Sequence, residues 1–369
     1  MTISKKFIAT LVASSAMASA FALPARADMM GDLVAAAKAE GELTVIALPH
    51  DWCGYGALIE SYKTKYGIKV NELNPDGGSG DEIEAIKANK DNKGPQAPDV
   101  IDVGLSFGPS AKAEGLIQPY KVSTWDSIPA EAKDAEGYWY GDYYGVMSIL
   151  VNKDLVKESP KDYADLLKPE FKNMVALSGD PRTGNQPIVG VFTTGLAATG
   201  GDIAKAGEAG LNFFKELNAK GNFVPVAGKA APFAQGATPI ILAWDYNAIS
   251  WGEGLKGNPP YEVIVPTSAV VAGVYVQAIS AFAPHPNAAK LWMEHLYSDE
   301  GQLGWLAGYC HPIRFNDLVK NSKVPAELLA KLPPAENYAK AIFPTLEQQA
   351  AFKETITKGW DTIVGADVK

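Results

Sequence analysis

Two short segments pair a carboxylate with aromatic rings, which is the side-chain chemistry that recognises an ammonium group. Asp245 lies between Trp244 and Tyr246, and Asp51 precedes Trp52. A carboxylate beside aromatic faces offers a cation both a charge-assisted hydrogen bond and a cation–π attraction. Each aspartate also suits a helix N-cap, where it would serve the fold instead of a ligand.

Arg182 lies in a polar loop, residues 178–186, that leads into a predicted helix. An arginine fork near free helix amides suits a carboxylate or a phosphonate. The alternative is a salt bridge between Arg182 and Asp180. If Arg182 and Asp245 both reach one site, the sequence predicts a small zwitterion as ligand. If only the acids and aromatic rings reach it, a polyamine is predicted.

Catalytic motifs are missing from the sequence. It contains no Gly-x-Ser-x-Gly elbow, no His-Glu-x-x-His pair and no glycine-rich phosphate-binding loop of the known patterns. The four histidines do not follow a metal-ligand spacing. We therefore predict a protein that is not an enzyme and has no catalytic residues, bound metal or cofactor.

Alternating strand and helix patterns position these residues. Apolar runs at 43–48, 68–73, 99–103, 174–177, 239–243 and 269–282 predict strands, and helical segments lie between most of them. Ligands bind at the carboxyl ends of strands in such α/β folds. Four polar loops follow predicted strands: residues 50–56, 106–110 beginning at Ser106, 178–186 and 244–251.

Composition limits the class of protein. The chain has 369 residues, 47% hydrophobic and 20% charged, with a net charge of −9. This length indicates two domains of globular composition. The acidic balance argues against nucleic-acid binding, because a phosphate backbone requires a basic surface.

The first 27 residues have the pattern of a secretory signal peptide. Lys5 and Lys6 precede a small apolar stretch, and Ala25-Arg26-Ala27 forms a cleavage site. The alternative is a membrane anchor, which the short, alanine-rich stretch disfavours. We predict export to the periplasm with cleavage after Ala27.

Several segments resemble the periplasmic solute-binding proteins of ABC importers, in the branch of ferric, polyamine, thiamine and aminophosphonate binders. The resemblance covers almost the whole mature chain. Its best stretches are residues 140–156, 159–172, 286–292, 298–302 and 308–314. It implies an α/β, two-lobed type II periplasmic binding protein fold with two crossing strands. It also implies a monomer that carries a small-molecule solute to a permease in the inner membrane.

Lobe boundaries follow from the same resemblance. Lobe one would comprise residues 28–145 and 277–335, and lobe two residues 146–276. The lobe of the C-terminal segment 336–369 stays open. Tyr143 to Val151 would cross between the lobes, and Val274 to Ala281 would cross back.

The crossing strands would form the floor of an interlobe cleft. Tyr143, Tyr144 and Tyr275 lie on them, and Gln277 shares a strand face with Tyr275. Tyr55 would join Asp51 and Trp52 on the lobe-one side of the cleft. The predicted solute is a polyamine, an amino acid similar to γ-aminobutyrate, or an aminophosphonate.

The sequence leaves two alternative functions open. Ferric binders of this fold place two adjacent tyrosines after the strand at 239–243, whereas this sequence has Trp244-Asp245-Tyr246-Asn247. Fe(III) is therefore the weaker alternative. An exported enzyme built on the same scaffold is weaker still.

Cys53 and Cys310 are the only cysteines, 257 residues apart. The resemblance implies that both lie at the rim of lobe one, where an oxidising compartment would allow a disulfide. Two unpaired buried thiols are the alternative.

Overall fold

The computed structural model describes residues 22–332 and 338–369. Most of the predicted signal peptide lies outside these residues, so the export signal stays a prediction. The helices are α1 Ala22–Glu40, α2 Tyr55–Tyr66, α3 Ser79–Ala88, α4 Phe107–Ala113, α5 Asn185–Ala198, α6 Ile203–Ala219, α7 Ala230–Ala234, α8 Asp245–Gly254, α9 Pro286–Tyr297, α10 Asp299–Ala307, α11 Phe315–Lys320, α12 Ala326–Leu329 and α13 Leu346–Gly359. No helix among the described residues is long and apolar enough to cross a membrane.

The strands form one parallel pair and one larger sheet. They are β1 Glu42–Ile46, β2 Lys69–Leu73, β3 Val100–Gly104, β4 Ile117–Gln118, β5 Tyr140–Asn152, β6 Val175–Leu177, β7 Ile240–Trp244, β8 Tyr261–Ile264, β9 Ala272–Ser280 and β10 His311–Pro312. Strand β1 pairs with β2, and the larger sheet has the order β3-β9-β5-β7-β6. Strand β4 also pairs with β9, and strands β8 and β10 also pair with β5.

Strand β5 joins the two lobes because its halves pair with different strands. Residues 140–146 pair with β9, whereas residues 147–152 pair with β7 and β8. Strand β9, which contains the segment expected to cross back, pairs with β3 and with the first half of β5. The carboxyl ends of β1, β2 and β3 and of β6 and β7 thus belong to different lobes.

Predicted elements agree closely with the observed ones. The strand expected at 239–243 is β7, whose sequence Ile-Ile-Leu-Ala-Trp is buried throughout. Helix α2 begins directly after Gly54, whose φ of 76° favours glycine. Helix α3 begins at Ser79, after the glycine pair Gly77-Gly78.

The C-terminal segment packs on the second lobe. The ring of Phe352 in α13 stacks on Phe192 of α5 at 4.1 Å between centroids. Trp360 contacts Phe214 and Phe223 at 5.6 and 6.0 Å. The sequence left the lobe of this segment open, and these apolar contacts assign its helix α13 and Trp360 to lobe two.

Candidate functional site

A cavity of about 570 Å³ lies between the lobes, which is the size range of small-molecule sites. Lobe one contributes the loops after β1 and β2 together with Asp102 of β3. Lobe two contributes residues 178–180 and 183–187 before and at the start of α5, residues 227 and 229–231, and Trp251. We call this space the interlobe cavity.

Direct contacts between the lobes hold the cavity closed. The Gly80 N–H donates to the Thr183 carbonyl at 3.1 Å. The Ser250 hydroxyl donates to the Asp51 carbonyl at 2.8 Å, and Lys229 forms an ion pair with Asp76. The described conformation is therefore the closed one, in which a solute would be enclosed.

Aromatic rings form one wall of the interlobe cavity. Trp52 and Tyr275 both line it, with their ring centroids 5.4 Å apart. Tyr275 stacks on Tyr143 at 5.5 Å. The Trp52 Nε1–H donates to the Tyr143 hydroxyl at 2.6 Å, which fixes the indole against the floor.

Asp102 forms the acidic floor of the interlobe cavity. Its Oδ2 accepts hydrogen bonds from the Tyr143 hydroxyl at 2.6 Å and from the Tyr55 hydroxyl at 2.9 Å. Burial raises the pKa of Asp102 to about 6, and the Tyr143, Asp142 and Tyr55 hydrogen bonds offset part of that rise. Burial thus favours the neutral acid, whereas the hydrogen bonds that Asp102 accepts favour its carboxylate form.

Two further buried carboxyls flank Asp102. Glu82 lines the interlobe cavity and accepts a hydrogen bond from the Asp102 N–H at 2.8 Å. Asp142 lies behind the floor, where the Gln277 Nε2–H donates to it at 3.2 Å. Burial and the neighbouring Asp102 carboxylate raise the pKa of Glu82 and of Asp142 well above ordinary values. Burial thus favours the neutral form of both groups beside Asp102.

Helix N-termini converge on the other end of the interlobe cavity. Helices α3 and α5 begin at Ser79 and Asn185, and both residues line the cavity. The first turn of a helix carries free N–H groups and a partial positive charge, which favour an anion. Lys229 lies on the same lining.

Comparison with known proteins decides the family. The profile of the bacterial extracellular solute-binding proteins matches residues 96–344. The chain belongs to this family. Its members are extracellular solute-binding proteins, and substrate-binding proteins of ABC importers bind small solutes and partner with a permease. The type II fold is shown by solved periplasmic binding proteins.

Named relatives differ in what they bind. A Salmonella typhimurium protein provisionally named 2-aminoethylphosphonate-binding periplasmic protein is 25% identical over 278 residues, covering 72% of this chain and 76% of that protein. AfuA from Actinobacillus pleuropneumoniae, solved with fructose-6-phosphate, has a TM-score of 0.67 at 21% identity, covering 88% and 98% of the two chains. A provisionally titled spermidine/putrescine ABC transporter from Listeria monocytogenes has a TM-score of 0.63 at 16% identity, covering 87% and 99%.

Asp245 was expected to contact the ligand, but it does not line the interlobe cavity. Its Oδ1 accepts hydrogen bonds from the Val146 and Tyr246 N–H groups, both at 3.0 Å. Its Oδ2 accepts from the Tyr338 hydroxyl. Burial raises the pKa of Asp245 to about 6. Asp245 is the first residue of α8 and its N-cap position is Trp244, so the N-cap expected as the alternative is not formed either. The Asp245 side chain instead links the start of α8 to the crossing strand β5.

Trp244 and Tyr246 are also packed outside the interlobe cavity. Both are fully buried. The Trp244 ring fills the space above Gly273, where a Cβ atom would lie 2.1 Å from it. Tyr246 contacts Trp52 with centroids 5.7 Å apart, so it supports the aromatic wall from behind.

Arg182 is bound by acids of its own lobe and does not line the interlobe cavity. It pairs with Asp180 at 2.7 Å, Asp361 at 3.1 Å and Asp367 at 2.8 Å. The hydrogen bond to Asp180, and after it the other carboxylates, raise the pKa of Arg182. The salt-bridge alternative fits this placement, and the arginine fork is already occupied.

Of the remaining predicted site residues, two lie below the floor of the interlobe cavity and two lie away from the cavity. Tyr55 and Gln277 lie below the floor, where the Gln277 Nε2–H donates to the Tyr55 hydroxyl at 2.7 Å. Tyr144 points to the other side of β5 and stacks on His311 at 5.0 Å. Ser106 precedes α4, and its carbonyl accepts from Lys353 at 3.3 Å. Tyr144 and Ser106 thus do not line the interlobe cavity.

The disulfide is confirmed. Cys53 and Cys310 are bonded, with Cα atoms 5.5 Å apart. Cys53 follows Trp52 directly, so the bond anchors the loop that carries the aromatic wall. Among residues 22–332 and 338–369, no cluster of His, Cys, Asp or Glu side chains is placed to hold a metal ion.

Sequence reasoning missed the loop after β2 and the acid of β3. Gly77, Gly78 and Ser79 line the interlobe cavity at the start of α3. Their signal was available, because a glycine-rich loop here follows a strand of a parallel pair. Asp102 gave a weaker signal, a charged residue inside an otherwise apolar predicted strand.

Proposed function

We propose that this solute-binding protein captures a short zwitterion with an amine at one end and an oxyanion at the other. An aminoalkylphosphonate is the solute type that fits best. The protein would be exported to the periplasm, lose residues 1–27, and deliver this solute to the permease of its importer. The observation that carries the proposal is that an acidic, aromatic floor and two helix N-termini line one closed cavity.

Charge supports the amine end. Acidic side chains on the lining outnumber basic ones: Asp51, Asp76, Asp81, Glu82, Asp102 and Asp180 against Lys229 and Lys369. Trp52, Tyr275 and Trp251 add aromatic faces. A desolvated ammonium gains from both features.

Strand geometry supports a short distance between the two ends. Asp102 and Gly104 lie two residues apart on β3, so their side-chain positions share one face and are separated by about 7 Å. The Ser79 hydroxyl accepts from the Gly104 N–H at 3.1 Å, and the Asn185 amide lies against Gly104. An oxyanion near Ser79 and Asn185 would thus be a few bonds from an amine near Asp102.

The names of relatives agree with an amine-bearing solute. The Salmonella protein is named for an aminophosphonate, which carries both charged ends. The Listeria protein is titled for polyamines, which carry amines alone. A short polyamine is therefore the second candidate, favoured by the acid excess of the lining.

Fe(III) and catalysis receive less support from the lining. Tyr275 lines the interlobe cavity, whereas the Tyr143 hydroxyl is engaged by Asp102 and Trp52. This arrangement lacks the adjacent tyrosine pair expected of a ferric site. Chromatography of a candidate solute after prolonged incubation with the protein would expose any turnover.

Titration calorimetry with a matched panel tests the proposal. We expect 2-aminoethylphosphonate to bind, and ethylphosphonate and ethylamine, which each lack one end, to bind at least about 100-fold more weakly. Putrescine binding without phosphonate binding would replace the zwitterion by a polyamine. Binding of ferric citrate alone would contradict both amine candidates.

A further inference from the structure

A short extended segment of lobe two forms part of the lining of the interlobe cavity. Residues 364–369 alternate between buried and exposed side chains, and Val364, Ala366 and Val368 are the buried ones. This period of two is typical of an extended strip that packs one face on the protein. Val368 and Lys369 line the interlobe cavity. We call residues 364–369 the cavity strap.

Backbone hydrogen bonds join the cavity strap to a neighbouring loop of lobe two. The Lys369 N–H donates to the Pro225 carbonyl at 3.2 Å, and the Ala227 N–H donates to the Lys369 carbonyl at 2.8 Å. Ala227 also lines the interlobe cavity. Two residues further on, Lys229 forms the ion pair with Asp76 of the other lobe. The strap therefore supports a segment that takes part in closure.

Arg182 connects the cavity strap to the loop at 178–186. Its Nη2 donates to Asp367 of the strap at 2.8 Å and pairs with Asp180 of the loop at 2.7 Å. Its Nη1 donates to Asp361 at 3.1 Å, and its Nε donates to Asp180 at 2.9 Å. The planar guanidinium fork can hold several carboxylates at once in a fixed geometry. All three nitrogens of the fork are used in this way.

Both segments that Arg182 connects contact the interlobe cavity. On the loop side, Asp180 lines the cavity, and the Thr183 carbonyl accepts the Gly80 N–H of the other lobe. On the strap side, Val368 lines it. A site binds well when the groups around it are already held in position, because less conformational freedom is lost on binding. Loss of the guanidinium would release the strap from the loop.

We propose that Arg182 is a positioning residue for solute binding, acting through the cavity strap and not by touching the solute. It holds Asp367 against the loop at 178–186, which keeps Val368 and Lys369 in place on the cavity lining. This role goes beyond the proposed function, since it applies to whichever solute the interlobe cavity encloses.

Arg182→Met tests the role in binding, with Lys205→Met as the matched control. Titration calorimetry with 2-aminoethylphosphonate and with putrescine should show at least about tenfold weaker binding of the solute that wild type binds. Arg182→Lys should lose less, because its ammonium keeps the charge but cannot span three carboxylates. Lys205 pairs with Asp202 at 2.7 Å on the exposed side of the same lobe, so Lys205→Met should stay within about twofold of wild type.

Hydrogen exchange of the protein without solute provides a second measurement. Amides of the cavity strap should exchange at least about tenfold faster in Arg182→Met than in wild type or Lys205→Met. Saturating solute should slow this exchange again, because the strap lines the cavity. If Arg182 merely stabilised lobe two as a whole, exchange in α5 and α6 would increase by the same factor as in the strap.

The outcomes separate this inference from the proposed function. Wild-type affinity in an Arg182→Met protein whose strap exchanges faster would overturn the role in binding, and unchanged strap exchange would overturn the positioning itself. A wild type that binds neither compound would reject the proposed solutes, while strap exchange would still decide the role of Arg182. If Arg182→Met fails to fold, Asp367→Asn removes only the ion pair to the strap, and unchanged strap exchange in that variant would reject the inference.

Discussion

At the scale of single residues, the burial of Asp102 should make the free energy of unfolding depend on pH. Its pKa is raised by burial to about 6 from an ordinary 3.8. The folded state therefore holds this proton more tightly than the unfolded state, and the stabilisation present at low pH is lost as pH rises toward 6. At neutral pH the ionised carboxylate costs about 2 to 3 kcal/mol relative to acid.

We accordingly expect Asp102→Asn to gain stability relative to wild type as pH increases. The difference in free energy of unfolding should grow by about 2 to 3 kcal/mol between pH 4 and pH 7 and then stay constant. Guanidinium denaturation of both proteins across this range measures it. A difference that does not change with pH would show that Asp102 has an ordinary pKa.

Residue placement could be predicted from sequence only where local position decides it. Asp51 and Trp52 lie in the loop that follows a strand, and Tyr275 lies on one, so their positions at the interlobe cavity followed from the strand pattern. Asp245 follows a strand too, but its partner Tyr338 is 93 residues away. Arg182 is occupied by Asp361 and Asp367, which are 179 and 185 residues away. Nothing local to these residues reveals such partners.

At the scale of elements, the disulfide links the loop before α2 to the segment before β10. Both cysteines are fully buried, and the bond closes a loop of 257 residues. We expect Cys53→Ala/Cys310→Ala to lower the free energy of unfolding by roughly 2 to 5 kcal/mol, because a long loop regains entropy in the unfolded chain. Guanidinium denaturation measures this loss.

The double variant should also bind its solute more weakly than wild type, because the disulfide holds the loop that carries Trp52. The control is Cys53→Ala/Cys310→Ala saturated with solute, whose stability should recover by mass action if the loop can still close. A double variant as stable as wild type would mean that packing alone holds this loop.

Element patterns were predictable because burial sets their periodicity. Strands β1, β3 and β7 are apolar runs buried almost throughout. The loop at 75–82 was harder, because its role depends on the approach of α5 from the other lobe. Contacts between lobes have no local periodicity and therefore leave no pattern in the sequence.

At the scale of the whole molecule, closure depends on small residues where the lobes meet. Gly78, Gly80 and Gly104 of lobe one face residues 183–185 of lobe two, and we call this contact the glycine seam. A Cβ atom on Gly78 would lie 3.1 Å from the Gly184 Cα, and one on Gly104 would lie 2.1 Å from the Asn185 Cγ. The seam brings the starts of α3 and α5 together, so the proposed oxyanion end of the site would form only in the closed protein.

Gly80→Ala should therefore weaken binding by opening the protein. The new Cβ would lie 3.1 Å from the Thr183 carbonyl oxygen, which also accepts the Gly80 N–H. Alanine favours a helix more than glycine by about 1 kcal/mol, so α3 itself should not be destabilised. If the closed state loses about 1 kcal/mol, the apparent affinity falls about fivefold, because only the closed form encloses the solute.

Calorimetry and small-angle X-ray scattering test this opening together. Gly80→Ala should need more solute to reach the compact radius of gyration that wild type reaches at saturation, while its thermal stability without solute stays equal or increases. Gly254→Ala is the control, because that position in α8 has no neighbouring atom within 4 Å of an added Cβ. Equal affinities for the two variants would mean that the seam does not limit closure, and that the lobes meet more loosely in solution than their closed contacts indicate.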